Sequence, residues 1–185
     1  MATVRTNYRF TVDDFHRMAV AGVFTEDDRV ELLEGEITVM TPIGHRHAAV
    51  VDFLNDRLGE ALRGRALVRV QSPIRLGPHS EPQPDLTLLR RSADYYRTAL
   101  PTATDVFCVI EVADTAVEYD RAKRSLYAEA GIPEAWIVDL QAERVEVSRQ
   151  PRGARYERTL VVQRGEMVAP EAFPEVALPT ADLLG

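Results

Sequence analysis

The chain has 185 residues, 45% of them hydrophobic and 28% charged, a balance that describes a soluble globular protein and excludes a disordered, collagen-like or disulfide-stapled one. No stretch approaches the roughly 20 apolar residues of a membrane span, and Met1-Ala2-Thr3-Val4-Arg5 lacks the apolar core of a signal peptide, so a cytoplasmic location without a membrane partner is expected. The formal net charge of −7 argues against a broadly basic nucleic-acid-coating surface but leaves room for a local basic groove, for which Arg63, Arg65, Arg69 and Arg75, or Arg90 and Arg91, are available.

No linker, repeat or low-complexity tract interrupts the chain, so residues 1–185 are read as a single domain. Thr11 with Asp14 three residues on is a capping pattern, and Phe15, Met18 and Ala19 recur at helical spacing, which predicts a helix over Val12–Ala21 stopped by Gly22. Arg29–Met40 reads as two strand segments turning at Glu34-Gly35. After the breakers Pro42 and Gly44, Val50, Val51, Leu54, Leu58 and Leu62 stripe a longer helix over His47–Leu62. Strands are expected over Ala66–Leu76, Leu86–Leu89 and Val106–Ala113, then a helix over Tyr119–Ala130 ended by Gly131 with Pro133 beyond. Ala135–Asp139 is a further strand, Glu143–Ser148 and Tyr156–Gln163 are added antiparallel strands, and the proline-bearing tail reads as an irregular wrap ending in a turn at Ala181–Leu184. This order implies an α/β (α+β) architecture: a mixed central sheet flanked by helices, with an N-terminal hairpin and C-terminal strands.

Two carboxylates stand where a core tolerates them least: Asp85, just after Pro84, and Glu111, at the end of the apolar run Val106-Phe107-Cys108-Val109-Ile110. A buried carboxylate must find a cation or accept a raised pKa. If their strands pair antiparallel, both carboxylates arrive at one sheet edge, a pattern that suggests a metal-dependent nuclease site. Cys108, the single cysteine, reads as a small buried hydrophobe, and Trp136 as core.

Five segments carry a closer likeness: Val30-Glu31-Leu32-Leu33-Glu34-Gly35-Glu36-Ile37, Gln71-Ser72-Pro73-Ile74-Arg75-Leu76, Glu81-Pro82-Gln83-Pro84-Asp85-Leu86, Ile110-Glu111-Val112-Ala113, and Tyr127 through Asp139. In this order they resemble the Uma-two family of restriction-endonuclease-like proteins, within the PD-(D/E)xK nuclease superfamily, and the likeness spans most of the chain. It implies a restriction-endonuclease-like fold and a divalent-metal-dependent endonuclease acting on DNA. The superfamily pattern Glu-x-Lys is broken here, because the lysine position is Ala113. Lys123 is the candidate replacement: Asp120, Lys123 and Tyr127 share one face of the helix that follows the Glu111 strand, and the family shows an Asp-x-x-Lys arrangement there. Alone, such a face would read as solvated, with Tyr127 a rim aromatic.

Phosphodiester hydrolysis needs an activated water and neutralised phosphate charge, which Mg²⁺ (or Mn²⁺) supplies from hard oxygen ligands. Asp85, Glu111 and the Val112 carbonyl are the expected metal ligands, with Lys123 offsetting developing charge. Glu31 and Glu36 are further acidic candidates, Glu36 favoured because it follows Gly35 where the hairpin returns toward the core. His47, opening the long helix, is a candidate contact to phosphate or to a metal-bound water, whereas His45 and His47, two apart, point away from one another. Gln83 is either a hydrogen-bonding neighbour of the site or a loop residue. The stretch from Arg91 to Thr104, with Tyr95, Tyr96 and Arg97, is too long for a tight hairpin and reads as a DNA-contacting or partner-contacting lid, or as a surface excursion. A nuclease cutting both strands is expected to work as a homodimer. Two other readings stay open: a binding module for nucleic acid or protein that keeps the fold without activity, and a hydrolase of small phosphodiesters.

Overall fold

The computed structural model describes residues 7–25, 27–115 and 117–185. Helix α1 (Val12–Val20) is capped as its sequence dictates: the Asp14 amide donates to the Thr11 side chain at 3.0 Å and the Thr11 amide donates back to Asp14 at 3.0 Å. Val12 and Phe15 bury against Leu32, which seats the hairpin of β1 (Val30–Leu33) and β2 (Glu36–Val39) beside this helix. The hairpin turns through Glu34 at φ 50° and Gly35 at φ 82°, the double positive φ of a two-residue turn that matches strand twist. Glycine is required at 35 for a second reason, since a Cβ there would lie 2.7 Å from the Arg9 Cβ.

The main sheet has six strands, β3 (Leu67–Val70), β4 (Leu86–Leu89), β5 (Val106–Ala113), β6 (Glu134–Asp139), β7 (Arg144–Arg152) and β8 (Arg155–Gln163), lying side by side in chain order. All neighbours are antiparallel except β5 and β6. That parallel pair needs a crossover, supplied by α3 (Val117–Glu129). Gly131, at φ 79°, closes α3: its amide reaches the Ala128 carbonyl and the Ile132 amide reaches the Tyr127 carbonyl, each at 3.0 Å.

Period-two alternation sorts the faces. Cys108, Ile110 and Val112 of β5 join the core with α2 (His45–Ala61), whose Val50, Val51, Leu54 and Leu58 are buried. Val109 lies on the other face, where Tyr127 of α3 packs, and Glu111 shares that face. Each fully buried Leu of the α2 stripe contributes about 1.5–3 kcal/mol, which fixes the helix and so the position of its first turn. The Cys108 thiol is held above its usual pKa by burial, and Trp136 is core, its indole N–H donating to Glu134 at 2.9 Å.

Several boundaries differ from expectation for local reasons. The strand predicted over Ala66–Leu76 stops at Val70, because Gln71 takes a φ of 44° and Pro73 has no amide for a ladder. The C-terminal hairpin is longer than predicted, reaching Arg152 and Arg155. The tail is less irregular: β9 (Met167–Val168) pairs with β10 (Leu178–Pro179), and α4 (Thr180–Leu184) follows. Its Val168, Phe173, Val176, Leu178, Leu183 and Leu184 complete the α2-side core.

Antiparallel pairing also relocates the expected lid. Leu86 faces Ile110 and Leu89 faces Val106, so residues 91–104 join the strands at the end of the sheet away from Asp85 and Glu111. None of them lines the cleft beside those carboxylates. Asp94 organises this loop, accepting from the Tyr96 amide at 3.1 Å and the Thr98 hydroxyl at 2.7 Å, while the Tyr96 hydroxyl donates to the Arg90 carbonyl.

Candidate active site

Asp85 immediately precedes β4 and Glu111 sits near the end of β5, and the pairing of Leu86 with Ile110 puts both on the α3 face of the sheet. Backbone amides tie them together. The Asp85 amide donates to Glu111 Oε2 at 3.2 Å, and the Val112 amide donates to Asp85 Oδ2 at 2.9 Å. From the first turn of α2, His47 places Nε2 at 2.9 Å from Asp85 Oδ2, which fixes that nitrogen as the donor to an ionised carboxylate. Its Nδ1 is buried without a partner among the described residues. Gln71 donates to Asp85 Oδ1 at 3.3 Å.

The missing strand lysine is replaced from the helix. Lys123, only 2% exposed, places Nζ at 2.9 Å from Glu111 Oε1 and 3.3 Å from Glu31 Oε2. Glu31, fully buried on β1, also accepts from the Gln83 amide at 2.8 Å and the Tyr119 hydroxyl at 2.6 Å. The Tyr127 hydroxyl donates to Glu111 Oε1. Asp120, one turn before Lys123, opens on the same cleft as Arg29, Glu31, His47, Asp85 and Glu111.

The electrostatics follow from burial against neighbouring charge. Burial pushes the Glu111 carboxyl up to about 6, with Lys123 pulling it down and Asp85 pushing it further up. Burial alone would lower Lys123, but Glu111 and Glu31 outweigh it and hold the ammonium above its ordinary pKa, firmly protonated. Asp120 is pushed up to about 8, first by burial and then by Glu111. His47 is raised by its hydrogen bond to Asp85, against the opposing effect of burial.

Residues 12–181 match the model of the Uma2 family, described as "Putative restriction endonuclease". The chain belongs to the Uma2 family. A crystal structure of a putative nuclease belonging to DUF820, from Anabaena variabilis ATCC 29413, superposes with a TM-score of 0.76 over 95% of this chain and 97% of that one, at 18% sequence identity. That likeness is one of fold. No curated protein matches the chain. The family match supports a nuclease-like function for this Uma2 protein, and among the described residues no helix is long and apolar enough to cross a membrane.

Of the residues singled out in this Uma2 sequence, Asp85, Glu111, Lys123, His47 and Glu31 come together, and Val112 lines the same cleft. Glu36 does not. It pairs with Leu33 beside the turn, whereas Glu31 pairs with Thr38; the two-residue offset along the strand is about 7 Å, and Glu36 is exposed. His47 meets Asp85 directly, and Gln83 serves Glu31 through its backbone. Three participants were not among the candidate site residues: Tyr119, and Asp120 and Tyr127, which the sequence offered only as companions of Lys123 on its helix face. The helical spacing that flagged Lys123 already put Asp120 and Tyr127 on its face.

The donor set suits a hard divalent cation. Glu31, Asp85, Glu111, Asp114 and Asp120 bring five carboxylates against the Lys123 ammonium, the Arg29 guanidinium and the His47 imidazole. Among the described residues no three His, Cys, Asp or Glu side chains converge as a ready-made ion site.

A pH dependence follows. Glu111, Asp120 and His47 all bind protons more tightly when folded than when unfolded, so their contribution to stability is full below their unfolded pKa values and is lost as pH rises through the folded ones. Carboxylates with lowered pKa, such as Asp14 at about 2, act only in more acid solution. The melting temperature of metal-free protein, followed by circular dichroism, is therefore expected to fall between about pH 5 and pH 8. A steady rise over that window would contradict this account of the cluster.

Proposed function

We propose that this protein is a divalent-metal-dependent endonuclease hydrolysing DNA phosphodiester bonds, with Mg²⁺ or Mn²⁺ held by Asp85, Glu111 and the Val112 carbonyl. One observation carries the reading: two carboxylates from adjacent strands are joined through backbone amides, with the buried Lys123 ammonium against one of them. The cation would supply Lewis-acid stabilisation of the phosphate and a water of lowered pKa.

The protein's own groups divide the remaining work. Lys123, kept protonated by Glu31 and Glu111, sets a fixed positive charge where the phosphate gains negative charge. Glu31 and Tyr127 act through others, Glu31 by holding the Lys123 ammonium and Tyr127 by fixing the Glu111 carboxylate. His47 orients Asp85 through Nε2. Arg29 at the cleft rim offers a cation to a neighbouring phosphate.

Nicking of supercoiled plasmid, with and without Mg²⁺, by wild type and Asp85→Ala tests the reading. A parallel assay on a chromogenic phosphodiester separates DNA from small diesters as substrate. A second reading, a binding module without cleavage, draws on the acidic net charge and on the lack of three converging ligands among the described residues; DNA bound in metal but never nicked would favour it.

A further inference from the structure

Five carboxylates line the cleft, and four are spoken for, Asp114 at its edge by Gln141 at 3.2 Å and Arg46 at 3.9 Å. Glu31 accepts from Gln83, Tyr119 and Lys123; Asp85 accepts from His47, Val112 and Gln71; Glu111 accepts from Asp85, Tyr127 and Lys123. Asp120 is different. It is only 9% exposed and lines the cleft, yet has no hydrogen-bond or ion-pair partner among the described residues. A largely buried carboxylate with no protein donor has only the solvent of the cleft around it, which is costly for its charge. Its surroundings make the cost worse, because Glu111, Asp85 and Glu31 all repel its charge and only Lys123 opposes them. What would relieve all of these at once is a mobile cation, and among the described residues Asp120 is the cleft carboxylate with no protein partner on either oxygen.

We propose that Asp120 is a cation-holding carboxylate of this cleft, acting alongside Asp85 and Glu111. The inference rests on the metal-dependent reading above and adds to it a ligand contributed by the helix rather than by the sheet. Because three ligands do not converge on one point, Asp120 meets the cation from its own side of the cleft, through a bound water or as host to a second ion. Either arrangement puts α3 under the control of metal, since Lys123 stands one turn along the same face.

The test counts Mn²⁺ bound to the full-length protein without DNA, from the free-ion electron paramagnetic resonance signal and by calorimetry, for wild type, Asp120→Asn and Asp85→Asn. Asparagine keeps the shape and removes only the charge, and the melting temperature of metal-free Asp120→Asn is expected to equal or exceed that of wild type. Asp120→Asn should either bind one ion fewer per chain or bind its ion about 10-fold or more weakly. Affinity within twofold of wild type and unchanged stoichiometry, with binding lost in Asp85→Asn, would overturn the role of Asp120 while leaving the metal-dependent reading intact. A wild type that binds no Mn²⁺ would overturn both.

Discussion

Replacing Lys123 with methionine is expected to lower the proposed DNA cleavage by about 10²-fold or more, the scale of one preorganised electrostatic group, while divalent-metal binding persists. The separation follows from geometry. Asp85 and Glu111 are untouched, and losing the ammonium at 2.9 Å from Glu111 makes the cleft more negative, which favours a cation. Methionine preserves most of the lysine stem in a site that is nearly closed to solvent. Folding still suffers, because stripping one partner from a buried ion pair costs about 3–5 kcal/mol, so rates are compared at a temperature where both proteins are folded. Lys123→Arg keeps the charge but brings a larger planar group, and restores cleavage only in part. Since Ala113 lines the same cleft, Ala113→Lys in the Lys123→Met background should recover some activity. A Lys123→Met protein as active as wild type at saturating metal would show that the cation comes from another residue.

Glu31→Ala should be among the most destabilising single changes in the molecule, and Glu36→Ala nearly silent. Glu31 is fully buried and takes three donors, Lys123, the Gln83 amide and the Tyr119 hydroxyl. Its removal leaves a buried ammonium short of one partner and two donors unsatisfied, a loss of about 3–5 kcal/mol, or roughly 10 °C in melting temperature for a chain of this size. Glu36, exposed beside the turn, falls within the roughly 0.5 kcal/mol typical of surface substitutions. Urea denaturation of the two variants decides the matter, and equal losses would contradict the placement of the hairpin.

Much of this site was legible in the sequence because it depends on short-range rules. Asp85 immediately precedes one apolar strand and Glu111 lies near the end of the next, and antiparallel pairing alone brings such positions together. Lys123 was reachable because a helix face is set by spacing of three and four. Glu31 against Glu36 was not decidable in that way: both lie on one face of the hairpin, and only the docking of Leu32 on Val12 and Phe15 tells which end meets the sheet. The lid failed for a related reason. Length identified residues 91–104 as an unusual connection, but direction along the sheet sends it to the far end. Tyr127 and Asp120 share the spacing that flagged Lys123, yet spacing does not say whether a polar helix face is turned to water or to a cleft. The tail was undervalued because its buried residues are scattered among prolines with no period to read.

Asp85, Glu111 and Lys123 are proposed to form one metal-dependent site for cutting DNA, and nicking of supercoiled plasmid tests that proposal. Wild-type protein in Mg²⁺ or Mn²⁺ is expected to convert supercoiled DNA to open circles, with activity lost on chelation and lost in Asp85→Ala even at saturating metal. Nicking by wild type that survives chelation, or by Asp85→Ala at the wild-type rate, would contradict it.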